Sequence, residues 1–210
     1  MGIFQMVAKD VTASAAGFAL LEVLVAIVVA AIGLLGLLGL QSKSVQMETE
    51  SYQRTHALIL LEEMVQRIQG NPLQASCLAM SGGHVGTTGS AGYLAPSGLC
   101  GTSASLREGV SSWDDMLRGV SETSGGSATG SMIGARGCVE RDGSVTPALY
   151  VVAVAWQGLT TQALPPVGGS SSAAVQTAAN CGSGLYGDAE TGGVSKRRVV
   201  WLAVSPAKQN

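Results

Sequence analysis

Residues 17–40 read GFALLEVLVAIVVAAIGLLGLLGL, an apolar run broken by one charge, Glu22. From Phe18 to Leu40 the run reaches the ~20 apolar residues that a membrane-crossing helix needs. An acid at the centre of such a helix costs ~2.5–3.5 kcal/mol to insert, and less near its end. Acids inside a membrane usually have a partner and a function, yet nothing else in the run can pair with Glu22. The competing reading is a carboxylate that snorkels or stays protonated at the membrane edge. Gly33, Gly36 and Gly39 lie three apart within the run. In a membrane, small residues let helices approach closely, although glycine is also simply tolerated there.

The helical pattern continues past the apolar run. In ALILLEEMVQRIQ, residues 57–69, helical spacing puts Ala57, Leu61, Met64, Val65 and Ile68 on one face. Glu62, Glu63, Gln66 and Arg67 fall elsewhere, and Asn71-Pro72 supplies the stop. One helix of roughly 80 Å is expected from about residue 18 to 70. Its first half, 18–40, is apolar all round, whereas 41–70 is amphipathic.

The totals fit an anchored protein with one polar domain. The chain has 210 residues and a formal net charge of −2, which gives no case for nucleic acid. Charged residues are 12%, against a usual ~25%, and the 29 glycines predict long loops. Lys9 before the run and Lys43 and Arg54 after it do not decide orientation. The four cysteines all follow the run, and their even number fits disulfides in an oxidising compartment. Four buried thiols are the alternative. Neither histidine is near a cysteine in sequence, so no zinc site is expected. Four cysteines allow three pairings, of which Cys77–Cys100 and Cys138–Cys181 are favoured. The first would close the loop after the long helix. The second would tie the first hairpin strand to the loop before the last strand.

Residues 71–102 read as loop, and residues 103–120 as a short helix with Leu106, Val110, Trp113 and Leu117 on its apolar side. Residues 121–130, SETSGGSATG, read as a flexible loop. Residues 132–158 read as strand, turn and strand, with Asp142-Gly143 as the hairpin signal. ALYVVAVAW has the near-continuous apolar character of a buried strand. Residues 158–195 read as a long loop, and KRRVVWLAVS, 196–205, as the last strand. The expected fold is α+β, a long N-terminal helix packed on a small antiparallel sheet.

No catalytic pattern emerges. The sequence has no G-x-S-x-G elbow, H-E-x-x-H or phosphate loop. GSGLYG, residues 182–187, matches G-x-G-x-x-G, but the dinucleotide fingerprint needs a strand before it and a helix after it. His56 is expected on the helix surface and His84 in a loop. Lys196, Arg197 and Arg198 read as a solvated strand end or local ion pairs. No enzyme activity, metal or cofactor is expected.

At GFALLEVLVA the sequence resembles the class III signal of type IV prepilins. The resemblance implies that prepilin peptidase cuts after Gly17 on the cytoplasmic side. Phe18 would become the N-methylated mature N-terminus, and Glu22 the fifth residue of the mature chain. Glu22 would then pair with the α-amino group of a neighbouring subunit and act as a register pin, the best-attested use of a buried charge. Just before the glycine this chain has SAAG, where such leaders usually carry basic residues; a start at Met6 would shorten the leader. The run up to Gln41, RTHALILLEEMVQRIQGN, SSWDDML, the GCVERDGS–YVVAVAWQG pair and KRRVVWL are similar to minor pilins of the type IV pilus modification PilV family.

The resemblance implies residues 1–17 as a cleaved leader, 18–40 as the transmembrane part of the helix and 41–70 as its periplasmic part. Residues 71–210 would form the periplasmic α+β domain. The implied function is that of a low-copy minor pilin that primes type IV pilus assembly. Its partners would be other minor pilins, the major pilin, prepilin peptidase and the inner-membrane assembly platform. It would sit in the inner membrane as a single-pass protein and then in the pilus. A type II secretion pseudopilin would share the N-terminal signal and build. A secreted or anchored binding protein with a conventional signal peptide would expect a small-x-small cut after the apolar run, and leaves Glu22 and the continuing helix unexplained.

Overall fold

In the computed structural model the described residues are 20–87, 104–120, 123–124, 127–128, 132–163, 172–186 and 194–206. The first helix, α1, spans Leu20–Gly70 without interruption. No proline falls within it, and the next two residues are Asn71 and Pro72. Proline disfavours the helical conformation in the residue before it, so the helix ends there. Asn71 Nδ2 donates to the Arg67 carbonyl, 3.2 Å away, and satisfies one of the last carbonyls.

The chain divides after Val45 into two compact units. In the first, every described residue from Leu20 to Val45 is exposed. In the second, α1 turns one face inward and buries Gln53, Ala57, Leu60, Leu61, Met64, Val65 and Ile68. The face read from the sequence is the face observed, widened by Leu60 and by the polar Gln53.

A 3-10 turn at Ala75–Leu78 and a two-residue strand, β1 (Val85–Gly86), follow α1. The stretch expected to be loop thus contributes the edge of the sheet. The helix α2 (Ala104–Arg118) buries Leu106, Val110, Trp113 and Leu117, as its spacing requires. Trp113 is fully buried, and its Nε1 donates to the Leu60 carbonyl of α1 at 2.8 Å. Arg67 Nη1 donates to the Gly109 carbonyl at 2.8 Å and ties the same two helices. Residues 121–130 were expected as loop. They contain an antiparallel pair, β2 (Thr123–Ser124) with β3 (Ser127–Ala128).

The main sheet has the order β1-β4-β5-β6, with β4 Arg136–Asp142, β5 Leu149–Ala163 and β6 Val194–Val204, every pairing antiparallel. The α+β class expected from the sequence is the class observed. The hairpin between β4 and β5 also forms, but Asp142 pairs with Leu149, so residues 143–148 make the connection. Asp142-Gly143 starts this longer loop and is not a two-residue turn. The Asp142 carboxylate accepts the Ser144 N–H at 2.9 Å and also bonds the Ser144 hydroxyl. Two further elements lie in the region read as loop from 158 to 195. β5 runs on to Ala163, and α3 spans Ala173–Ala179, capped by Ser172 Oγ on the Val175 N–H.

Strand β5 lies between β4 and β6, and its side chains alternate between two cores. Tyr150, Val152, Val154 and Trp156 face the core built with α1 and α2. Val151, Ala153 and Ala155 face a second core with Ala174, Ala178, Cys181 and Tyr186. Burial on both faces explains the unbroken apolar reading of this strand. Gly137 on β4 lies under Trp113, where a Cβ would overlap the indole ring. The Cys138–Cys181 bridge joins β4 to the turn after α3, as favoured from the sequence. The separation of 43 residues corresponds to about 4 kcal/mol of lost chain entropy in the unfolded state.

Candidate functional site

The first unit presents a surface that water alone would not stabilise. Leu20, Leu35 and Leu40 are 86%, 69% and 71% exposed. Between Leu20 and Leu40 the helix is long and apolar enough to cross a membrane, and the only charge there is Glu22. Glu22 lies in the first turn of α1 and has no polar partner among the described residues. Beside it, Val23, Ala26, Ile27 and Ala30 line a shallow hollow of about 380 Å³. Ala26 and Ala30 follow Glu22 at i+4 and i+8, so a stripe of small side chains runs along the helix from the carboxylate. Beyond the helix's own local backbone, no described residue lies within 4 Å of where a Cβ would stand at Gly33, Gly36 or Gly39. Small residues along a membrane helix permit close approach by another helix.

Gly17 and Phe18, the expected cleavage and methylation positions, lie outside the described residues. Cys100 does as well, so the Cys77–Cys100 pairing is not described; Cys77 is itself disulfide-bonded.

Of the two readings of the basic triplet, a solvated strand end does not hold for Arg197 and Arg198, and an ion pair forms at Arg198, though with a distant segment. Arg197 and Arg198 are not solvated; they are 3% and 7% exposed. Arg197 Nη1 donates to the carbonyls of Ala179 at 2.6 Å and Cys181 at 3.3 Å, and so closes the end of α3. Arg198 Nη2 reaches Glu50 Oε1 on α1 at 3.1 Å and the Thr160 carbonyl at 2.8 Å. Glu50 Oε1 also accepts from the Leu159 N–H and the Thr160 hydroxyl. One carboxylate therefore holds α1 to β5 and β6. The signal that was available was an acid at the polar boundary of an amphipathic helix; its partner, 148 residues away, was not.

His56 is half-buried, its ring 4.9 Å from that of Tyr52 one turn earlier. His84 lies beside β1, and its buried Nε2 has no hydrogen-bond partner among the described residues. Burial, with the Arg136 guanidinium nearby, holds its pKa below the usual histidine value. Arg136 lies over the Tyr186 ring at 4.6 Å, a cation–π contact. Glu140 accepts the Gly82 N–H at 2.7 Å. Burial nevertheless raises its carboxyl above the ordinary range. In GSGLYG, Gly182 and Gly184 have positive φ in the turn after α3, so a helix and not a strand precedes the motif. No group of three or more His, Cys, Asp or Glu among the described residues is placed to hold a metal ion.

No family model matches the chain, and no curated protein or solved structure matches it.

Proposed function

We propose that the chain is a minor pilin of the type IV pilus, of the PilV kind. It is anchored in the inner membrane by residues 18–40 and carried at low copy into the filament, where it promotes assembly by subunit packing. The observation that carries this reading is the first half of α1. It is an apolar cylinder with one unpartnered acid and a stripe of small residues leading away from it, on a helix whose second half is built into an α+β domain. An isolated anchor has no need of that acid. A bundle of such helices does, because the α-amino group released by cleavage before Phe18 supplies its counter-charge. The buried Cys138–Cys181 bridge supports a domain that matures in an oxidising compartment.

The test is the mass of the mature N-terminal peptide from membrane and pilus fractions. A peptide beginning at N-methylated Phe18 is the expected result. A mature N-terminus near residue 40 would support a conventional signal peptide instead.

A further inference from the structure

A polar cavity of the second unit lies where α1 meets the end of the sheet. Its volume is about 400 Å³, and its walls are Glu50, Ser51 and Arg54 of α1, Trp156 and Gln162 of β5, and the consecutive residues 197–200 of β6. Trp156 and Val200 belong to the core that faces α1, and Ala163 of β5 completes the lining, so the cavity opens on the α1 face of the sheet beside its last strand. Strand β6 is the last of its sheet, and no strand pairs with its outer side among the described residues. Arg197 gives its N–H to Ser195 Oγ at 2.9 Å, and Gln157, its partner on β5, gives its own N–H to the Ile133 carbonyl. Alternate residues of an antiparallel strand exchange bonds with the neighbour, so the N–H and C=O groups of Val199, Trp201 and Ala203 lie on that outer side.

Donors dominate the cavity. Arg54 is exposed and has no polar partner among the described residues. The one acid, Glu50, is matched by Arg198. An acceptor-rich, negatively charged group suits these walls.

We propose that this cavity receives an extended acidic segment of a neighbouring filament subunit, which pairs with the outer edge of β6 and sets a carboxylate against Arg54. The source of the segment rests on the pilin reading; the site and its chemistry do not. Main-chain pairing supplies affinity and the side-chain pocket supplies selectivity, as in other cases of strand addition. The apolar surface of Leu20–Leu40 and the edge of β6 would then be two separate contacts with the filament.

The test uses the full chain in detergent micelles and dye-labelled, end-blocked hexapeptides of alternating threonine and valine. Each carries glutamate, glutamine or lysine at one central position. Fluorescence anisotropy should show saturable binding of the glutamate peptide. The glutamine peptide should bind about tenfold more weakly, for loss of a charge-assisted contact, and the lysine peptide more weakly still. Backbone N-methylation of the glutamate peptide should abolish binding. R54Q should remove the preference for glutamate over glutamine, whereas R54K should retain most of it. Arg54 is exposed, so both variants should keep the wild-type circular dichroism. No saturable binding of the glutamate peptide, or equal binding of all three, would overturn the proposal. Because the readout involves no filament, a negative result leaves the cleavage test of the pilin reading unaffected.

Discussion

The two halves of α1 share one backbone conformation and carry two different side-chain patterns. From Leu20 to Leu40 apolar side chains surround the axis and are exposed. From Gln53 to Ile68 most of them occupy one buried stripe, with Leu58 and Ile59 left outside it, while Glu62, Gln66 and Gln69 are exposed. In water, helix stability comes mostly from packing of such a stripe. In lipid, the backbone must satisfy itself and side-chain pattern matters less. A charge therefore means different things in the two halves. Glu62 on the second half is ordinary surface, whereas Glu22 on the first stands in an apolar run with no polar partner among the described residues.

The sharpest way to break this contrast is to remove the odd charge. Under the pilin reading, Glu22→Ala should leave subunit level, cleavage and membrane association unchanged. Its recovery in sheared pili should fall by more than about tenfold, because a buried amine would lose its counter-charge. Recovery at the wild-type level would return Glu22 to a tolerated acid at the membrane edge.

A second comparison sets equal chemistry against unequal surroundings. Met64 is fully buried under the sheet. Met64→Ala should lower the unfolding free energy of the domain by ~2–5 kcal/mol. Leu34 is 61% exposed, and Leu34→Ala should change the same midpoint by no more than about 0.5 kcal/mol. Denaturant titration in detergent, followed by near-ultraviolet circular dichroism, reads both. Similar losses would mean that the halves are not energetically distinct.

The smallest expected effect is a pH dependence confined to the second unit. His84 is harder to protonate in the folded chain than in the unfolded chain. As pH falls from about 6.5, the unfolded chain takes up the proton first. Stability is therefore lost until the folded imidazole also protonates. Glu140 acts in the other direction. Its folded pKa is raised, so the folded chain takes up that proton first and gains stability as pH falls through the folded value. His84→Asn should flatten the decline of the melting temperature between pH 7 and 6 and leave the Glu140 contribution in place. An unchanged slope would remove His84 from the account.

Much of this arrangement was legible in the sequence where large side chains keep a period. Leu106, Val110, Trp113 and Leu117 announced α2, and the nearly continuous apolar run of residues 148–156 announced β5. Helix α3 was missed because its inward residues, Ala174 and Ala178, are small and sit among serines and glycines. The Ser172 cap was its remaining signal. For Arg197 and Arg198 the solvated reading failed, while the ion-pair reading held for Arg198 without its partner being named. Their burial depends on Ala179, Cys181 and Glu50, contacts between distant segments that no local window contains. Glu22 stood out from its run by charge alone, but the reading of its role came from the family resemblance at GFALLEVLVA.

The unequal faces of β5 set how this domain can drift over time. On the α1–α2 side, valine, methionine, leucine and tryptophan interlock, and a change in one volume has several large neighbours to absorb it. On the α3 side, Ala153 and Ala155 share a core with Ala174 and Ala178, beside Val151 and Tyr186, and alanine has no methylene left to give. Any enlargement there must lift a seven-residue helix that a disulfide and Arg197 hold down. The same strand thus carries a face on which sequence can wander by paired exchange and a face on which it is nearly frozen.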